Sequence, residues 1–523
     1  MKKKVLVICL AIGFAVCAYP QKQLSEEIAY KIKSEAFSNS QIEETAQWFT
    51  DFLGPRLAAS KNGLRAEELV KGKFADMGLS NPRREFAVNF SKGGWENKKT
   101  YIALTAPYYT AFTGTPKAWS GSTAGLVKAE VVYLNIQTEA DIDKYKGKIS
   151  GKIVLMPETS TYEMSFEPLA TRYTDEQLAT MAADSRGSAM SGSPRRGGGM
   201  PQFNPASIQL REKTAAFLKS EKPLAVFVGG GTFNVPSSTS VQYAVGQPEP
   251  TPEIVLPIED HGRMVRLIRN NIPVEMELEI QNKFSPEDTV IYNVIAEIPG
   301  TDPKLKNEIV MIGAHLDSWH GGTGGADNGS GCIVMIEAMR IIKALGISPK
   351  RTIRIALWGG EEQGLYGSRA YAQNLLYDRD QKKKLPDYDK FVLYLNMDNG
   401  SGRFRGIYLE SNDMAVPFFE TWKKPFESLG FSTLSLRTTG STDHVSFNQL
   451  GLPAYQFIQD PLEYRRTYHT LMDTYERLSL SDLRVNAALV AWFALSAAND
   501  DSRIPVKPGA LEQLERMQNR RPF

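Results

Sequence analysis

His315-Leu-Asp-Ser-Trp-His-Gly-Gly-Thr-Gly-Gly-Ala-Asp327-Asn-Gly-Ser-Gly331 is the stretch on which the reading of this chain turns. An apolar run, Glu308-Ile-Val-Met-Ile-Gly-Ala314, precedes it and reads as a buried strand bounded by turn residues. After it, Val334, Ala338, Ile341 and Leu345 recur at helical spacing and face a core. A histidine and two aspartates therefore occupy the loop between a strand's C-terminal end and a helix. In open α/β sheets that edge is where ligands bind.

The alternation continues on both sides of this stretch. Val290 to Ile298, Ile309 to Ile312, Thr352 to Trp358, Phe391 to Asn396 and Pro453 to Ile458 read as strands, and about Leu483 to Ala498 as a long apolar helix. This predicts an α/β fold, a mixed and largely parallel sheet with helices on both faces. Upstream, residues 25 to about 80 read as helical, with Ser40-Gln-Ile-Glu43 resembling a capping box and a second helix from Gly63 to Met77. Arg84 to Phe90 and Thr100 to Thr105 alternate as strands. From about Gly121 the texture changes to short strands and turns, among them Val131 to Leu134, Lys152 to Met156 and Ala225 to Val228, with a low-complexity loop over Ser185 to Met200. That block reads as a β-rich module inserted in the larger domain. The expected division is a leader over 1–18, a discontinuous catalytic domain over 25–118 and 273–503, the inserted module over 119–272 and a polar tail over 504–523.

Of the 523 residues, 42% are hydrophobic and 23% charged, as in a folded soluble protein with ample core. The 61 Lys and Arg nearly balance 59 Asp and Glu, so nucleic acid has no electrostatic invitation. Lys2-Lys3-Lys4, the apolar run Val5 to Ala18 and the small residues of Val16-Cys-Ala18 read as an export signal. That run is short for a membrane span, and no later stretch could cross a bilayer. The expected location is periplasmic or extracellular; Cys17 raises a lipoprotein anchor, for which Val16 is a poor fit. With Cys9 and Cys17 in the leader, Cys332 stands alone and no disulfide framework is expected. Cys332 reads as a small helix residue under the loop in preference to a nucleophile. Asn328-Gly-Ser330 and Asn399-Gly-Ser401 are glycosylation sequons beside candidate ligands, where a glycan would obstruct the site. They favour a bacterial export route.

Four further stretches put polar groups near strand ends: Gly360-Glu361-Glu362, Met397-Asp398, Thr442-Asp443-His444 and Tyr468-His469. Singly these are weak, since an Asp in a glycine-rich loop is usually a turn residue and Glu-Glu usually a solvated pair. Jointly, two histidines and several carboxylates at one sheet edge suit catalytic zinc, whose ligands are of N and O type. Five ligands exceed what one tetrahedral zinc with an open position can use. They suit two metals about 3.5–4 Å apart, bridged by one carboxylate.

The order His-x-Asp, Asp, Glu-Glu, Asp, His resembles the co-catalytic di-zinc peptidases, the family of bacterial leucyl aminopeptidase and glutamate carboxypeptidase, with the transferrin receptor as an inactive relative. The wording His315-Leu-Asp-Ser-Trp319 and Gly360-Glu-Glu-Gln-Gly364 is most similar to the plasma glutamate carboxypeptidase (carboxypeptidase Q) branch. Lys146-Gly-Lys-Ile-Ser-Gly-Lys-Ile-Val-Leu155 looks like that branch's protease-associated domain. The resemblance implies two Zn²⁺ per chain: Asp327 bridging, His315 and Asp398 completing one site, Glu362 and His469 the other. It implies Asp317 as the acid that orients His315, Glu361 as general base toward a metal-activated hydroxide, and Tyr468 as oxyanion donor. Asn328 and His320 depart from the branch's usual wording, which bears on substrate and not on metals. The expected partner is a peptide or dipeptide, cleaved from its N-terminus, with a homodimer open as an assembly. Arg437, Arg465 and Arg466 keep carboxypeptidase-direction cleavage open as an alternative. A non-catalytic receptor-like homologue and one-zinc glutaminyl-cyclase chemistry are the others.

Overall fold

Every residue of the Ile309–His315 strand is buried, so it must be covered on both faces. The computed structural model, which describes residues 24–157, 162, 164–184, 205–231 and 235–519, puts this strand inside an eight-stranded mixed sheet. The expected leader over 1–18 and the loop from Ser185 to Met200 lie outside the described residues. Thr352–Trp358 and Phe391–Asn396 flank the central strand in parallel, and Ala454–Gln459 runs parallel beyond the latter. Antiparallel Val290–Ile298 and Ser80–Asn89 extend one side; Phe404–Tyr408 and Thr433–Ser435 extend the other.

The two-residue period of a strand divides the core between the two faces. Val310, Ile312 and Ala314 pack with the helices Ser330–Ala344 and Leu480–Asn499. Ile309 and Met311 point the other way, onto Tyr371, Tyr388 and Phe447. The helix-on-both-faces arrangement expected from the alternation is therefore what forms. Among the described residues no helix is long and apolar enough to cross a membrane.

Three local readings come out differently. The expected capping box at Ser40 is replaced by a tertiary contact. The helix begins at Ile42, whose N–H is 3.3 Å from Ser40 Oγ, and the Gln41 N–H donates to the buried Glu337 carboxylate at 3.1 Å. The polar tail contains the helix Ala510–Asn519, and Leu511 and Leu514 pack on the second face of the sheet. The span 119–272, expected to be rich in strands, also carries the helices Pro205–Glu221 and Ile258–Arg269.

A second eight-stranded sheet takes in the strands of that span, and its longest strands are Gly94–Ala106 and Glu275–Ser285, paired antiparallel along their length. Both lie outside the span 119–272. Ile102, Leu104, Met276 and Leu278 share one core with Ile153, Leu155 and Phe227, which binds these flanking strands to the module. A segment of the module also reaches across to the first sheet. Thr171 pairs with Leu462, and Arg172 holds the buried Asp460 and Asp482 at 2.8 and 2.7 Å.

The strand that carries His315 has no room for a side chain at Gly313, where a Cβ would lie 2.4 Å from the Ala356 carbonyl oxygen and 3.1 Å from the Tyr394 ring. Gly313→Ala should lower stability by about 1–3 kcal/mol, the usual cost of overpacking, read as a lower urea midpoint. An unchanged midpoint would mean that the neighbouring strands part without strain.

Candidate active site

Four adjacent parallel strands end at one rim; three deliver a polar group within three residues of their ends, and the fourth leads to His469 after a short helix. His315 closes Ile309–His315; Glu361 and Glu362 follow Thr352–Trp358; Asp398 follows Phe391–Asn396; His469 follows Ala454–Gln459. Asp327 is on the loop that enters the helix Ser330–Ala344. The turn after Trp358 needs a left-handed residue, which Gly360 supplies at φ +68°, aiming the two glutamates back toward His315.

Asp327 is the centre of the arrangement. Its Oδ1 is 3.2 Å from His315 Nε2, and its Oδ2 is 3.0 Å from His469 Nε2. Asp398 Oδ1 is 3.6 Å from His315 Nε2, and Glu362 Oε2 is 2.9 Å from His469 Nε2. His315, Asp327 and Asp398 thus form one compact group able to hold a metal ion, and Asp327, Glu362 and His469 a second. Glu361 belongs to neither, its Oε2 lying 4.0 Å from His315 Nε2. All five expected ligands and the expected base meet at one place.

The supports of these residues are partly those expected. His315 Nδ1 is 2.9 Å from the Asp317 carbonyl oxygen, while the Asp317 carboxylate is 3.7 Å away. A carbonyl only accepts, so Nδ1 carries a proton and Nε2 is the nitrogen turned to the carboxylates. Asp317 orients the ring through its main chain. Its carboxylate accepts the N–H groups of Glu361 and Glu362 at 3.1 and 3.2 Å.

Two supports escaped the sequence reading. The Asp473 carboxylate accepts the N–H groups of Ala326 and Asp327 at 2.6 and 3.0 Å, fixing the loop that presents Asp327. The buried Arg56 guanidinium donates to the carbonyls of Leu316, Thr323 and Gly324 at 2.7, 2.8 and 2.9 Å, stapling the two ends of that loop. Cys332 is a small buried helix residue, its thiol 3.1 Å from the His315 carbonyl and pushed up to about 12 by burial. Asn328, in the first sequon, is buried and donates to the Met397 carbonyl at 2.8 Å.

Tyr468 is more exposed than a core residue, 38% accessible, with its ring 4.5 Å from that of His469. It stacks at 4.9 Å on Tyr464, a tyrosine the sequence reading passed over. Burial, and then the charges of Asp327, Asp398 and Glu362, push the Tyr464 phenol well above its usual range. His444 is structural, its Nε2 between Thr439 Oγ1 at 3.0 Å and Glu410 at 3.3 Å.

The electrostatics describe a site short of positive charge. Burial opposes the charged form of His469, yet contact with Asp327 and Glu362 raises it to about 11. His315 is likewise raised against burial by Asp398 and Glu361. Burial and the Asp327 charge push Glu362 up to about 7, and burial lifts Glu361 well above the carboxylate range. Glu362 Oε1 is buried without a hydrogen-bond partner among the described residues. Carboxylates so placed fit divalent cations, which replace lost hydration with charge.

Known proteins resemble this chain. The profile of peptidase family M28 matches residues 293–494, the span that holds all five ligands. Carboxypeptidase Q of Mus musculus is 25% identical over 496 residues, covering 92% of this chain and 93% of that protein. Aminopeptidase YwaD of Bacillus subtilis (strain 168) is 30% identical over 200 residues, 38% of this chain and 42% of that one. In fold, the chain resembles a peptidase M28 precursor from Shewanella amazonensis at TM-score 0.63 and 23% identity, covering 92% of this chain and 99% of the other. It also resembles a zinc aminopeptidase from Bacillus subtilis at TM-score 0.53 and 20% identity, covering 90% and 98%. The family profile thus marks residues 293–494, the ligand-bearing strands, as a peptidase family M28 domain, and carboxypeptidase Q matches the chain along nearly its whole length, which together support a metallopeptidase.

Proposed function

We propose that the chain is an exported exopeptidase that holds two zinc ions and removes N-terminal residues from peptides or dipeptides. The observation that carries this reading is the division of Asp327 between two histidines, one oxygen to each. Zinc bonds of about 2.0–2.1 Å at tetrahedral angles set neighbouring ligand atoms about 3.3 Å apart. The separations of 3.2 and 3.6 Å in one group and 3.0 and 2.9 Å in the other suit that spacing. His315, Asp327 and Asp398 would hold one ion; Asp327, Glu362 and His469 the other. A bound ion pair would polarise a peptide carbonyl and draw the pKa of water toward neutrality.

The remaining steps belong to the chain itself. Glu361, outside both ligand groups and nearly buried, takes the proton of the attacking water and passes it to the leaving amine. Its burial supports that role by raising its proton affinity from the ordinary carboxylate range. The Tyr468 hydroxyl, on a ring braced by Tyr464, donates to the developing oxyanion. Complete ligand sets together with Glu361 argue against a receptor-like homologue. The second ligand group argues against one-zinc cyclase chemistry.

A specific observation favours the carboxypeptidase direction as a second reading. Arg437 and Arg465 both act on the phenols of Tyr173 and Tyr408, and neither has a carboxylate partner among the described residues. Arg466, by contrast, is paired with Glu463 at 3.5 Å. Two unpaired guanidinium groups suit a substrate's C-terminal carboxylate. Export rests on the leader, and the second sheet is read as the protease-associated module of the carboxypeptidase Q branch.

Glu361→Gln should leave bound zinc unchanged while kcat on dipeptides falls by about 10²–10⁴-fold; turnover at the parent rate would remove Glu361 from the mechanism. On the carboxypeptidase reading, Arg437→Ala with Arg465→Ala raises KM about tenfold or more on free dipeptides and leaves KM on C-terminal amides unchanged, since a charged hydrogen-bond pair contributes about 1.5–3 kcal/mol. Equal KM values on both substrates would return the direction to N-terminal cleavage.

A further inference from the structure

Trp319 is four residues past His315, and its indole N–H donates to Glu362 Oε2 at 2.7 Å. The same oxygen is 2.9 Å from His469 Nε2, while Glu362 Oε1 has no hydrogen-bond partner. Among the described residues, the indole is thus the one donor other than His469 that restrains this carboxylate. Its chemistry suits the position. A lysine or arginine would bring a charge to compete with a cation, whereas an indole N–H fixes an oxygen and adds none.

The ring is itself held. Trp319 packs with the buried Leu57, Trp95 and Trp119, and meets the His320 ring at 6.4 Å. His320 Nε2 donates to the Pro116 carbonyl at 2.7 Å, and its ring lies edge-on to Trp95 at 4.9 Å. The Trp95 indole donates in turn to the Ser120 carbonyl at 3.0 Å. Trp95 and Pro116 lie on strands of the second sheet, so the ring that restrains Glu362 is seated on the inserted module.

We propose that Trp319 is a positioning residue for Glu362, and that through it the inserted module sets the affinity of the second of the two cation positions. The proposal rests on the two-cation reading above. Loss of the indole N–H frees the carboxylate to turn, and partners of metal ligands of this kind typically carry 10–100-fold in metal affinity.

The test is a zinc titration of the full chain, stripped and then refilled from chelator-buffered zinc, with bound metal counted at each step. Two variants are compared: Trp319→Phe, and replacement of Trp319 by benzothienylalanine, which keeps the bicyclic shape and has sulfur in place of the N–H. The parent should bind two ions. Each variant should keep one at parental affinity and bind the other about 10–100-fold more weakly, with the melting temperature of the stripped benzothienylalanine protein unchanged. Two ions bound with parental affinities by the benzothienylalanine protein would overturn the role of Trp319, as would equal weakening at both positions. A parent that binds fewer than two ions would overturn the two-cation reading, and the proposal with it. Should Trp319→Phe not fold, the isosteric variant decides alone.

Discussion

Holding like charges together away from water is the constraint around which this protein is built. Asp327, Glu361, Glu362 and Asp398 converge on two imidazoles at one sheet rim, with Asp443 and Asp473 buried beside them. Two like charges 4 Å apart repel by about 4 kcal/mol at an effective dielectric of 20. Side chains on flexible loops would relieve that by moving apart. Here most of them cannot, because the strands beneath are packed on both faces and the loops between are tied by main-chain bonds. The sheet supplies rigidity, and the charge it concentrates is what a pair of divalent cations would neutralise.

Much of this was legible in the residues, for identifiable reasons. Strands buried on both faces leave apolar runs, which is why Ile309 to Ile312 and Phe391 to Asn396 could be read directly. His315, Glu362 and Asp398 stand at or just after such runs, so their convergence followed from topology. What escaped lies far away along the chain. Arg56 acts on carbonyls some 260 residues later, and Asp473 on amides about 146 residues earlier; neither has a local pattern to mark it. The same reason explains Ser40, where local wording suggested a box and the distant Glu337 met the Gln41 N–H instead. It also explains why Gly94–Ala106 did not read as part of the inserted module, since its partner strand begins at Glu275.

Residues of the span 119–272 share the wall of the site. Ser237 donates its N–H to the His469 carbonyl at 2.8 Å, and Leu471 donates to Val235 at 3.1 Å. Together with the His320 contact to Pro116, these bonds bracket the Glu362 and His469 half of the rim. The other half, His315 and Asp398, is supported by strand ends and by the helix Ser330–Ala344. The two halves therefore have different foundations, one within the first sheet and one where segments of the span 119–272 meet it.

The spread of the ligands along the chain has a further consequence. His315 and His469 are separated by roughly 150 residues, and Asp327 reaches both. Metal clips that close long loops constrain the unfolded chain much as a disulfide does. In a protein whose Cys332 has no thiol to pair with among the described residues, a filled centre would be its one long-range cross-link. Resistance to heat and to proteolysis would then be a property of its metal supply as much as of its core.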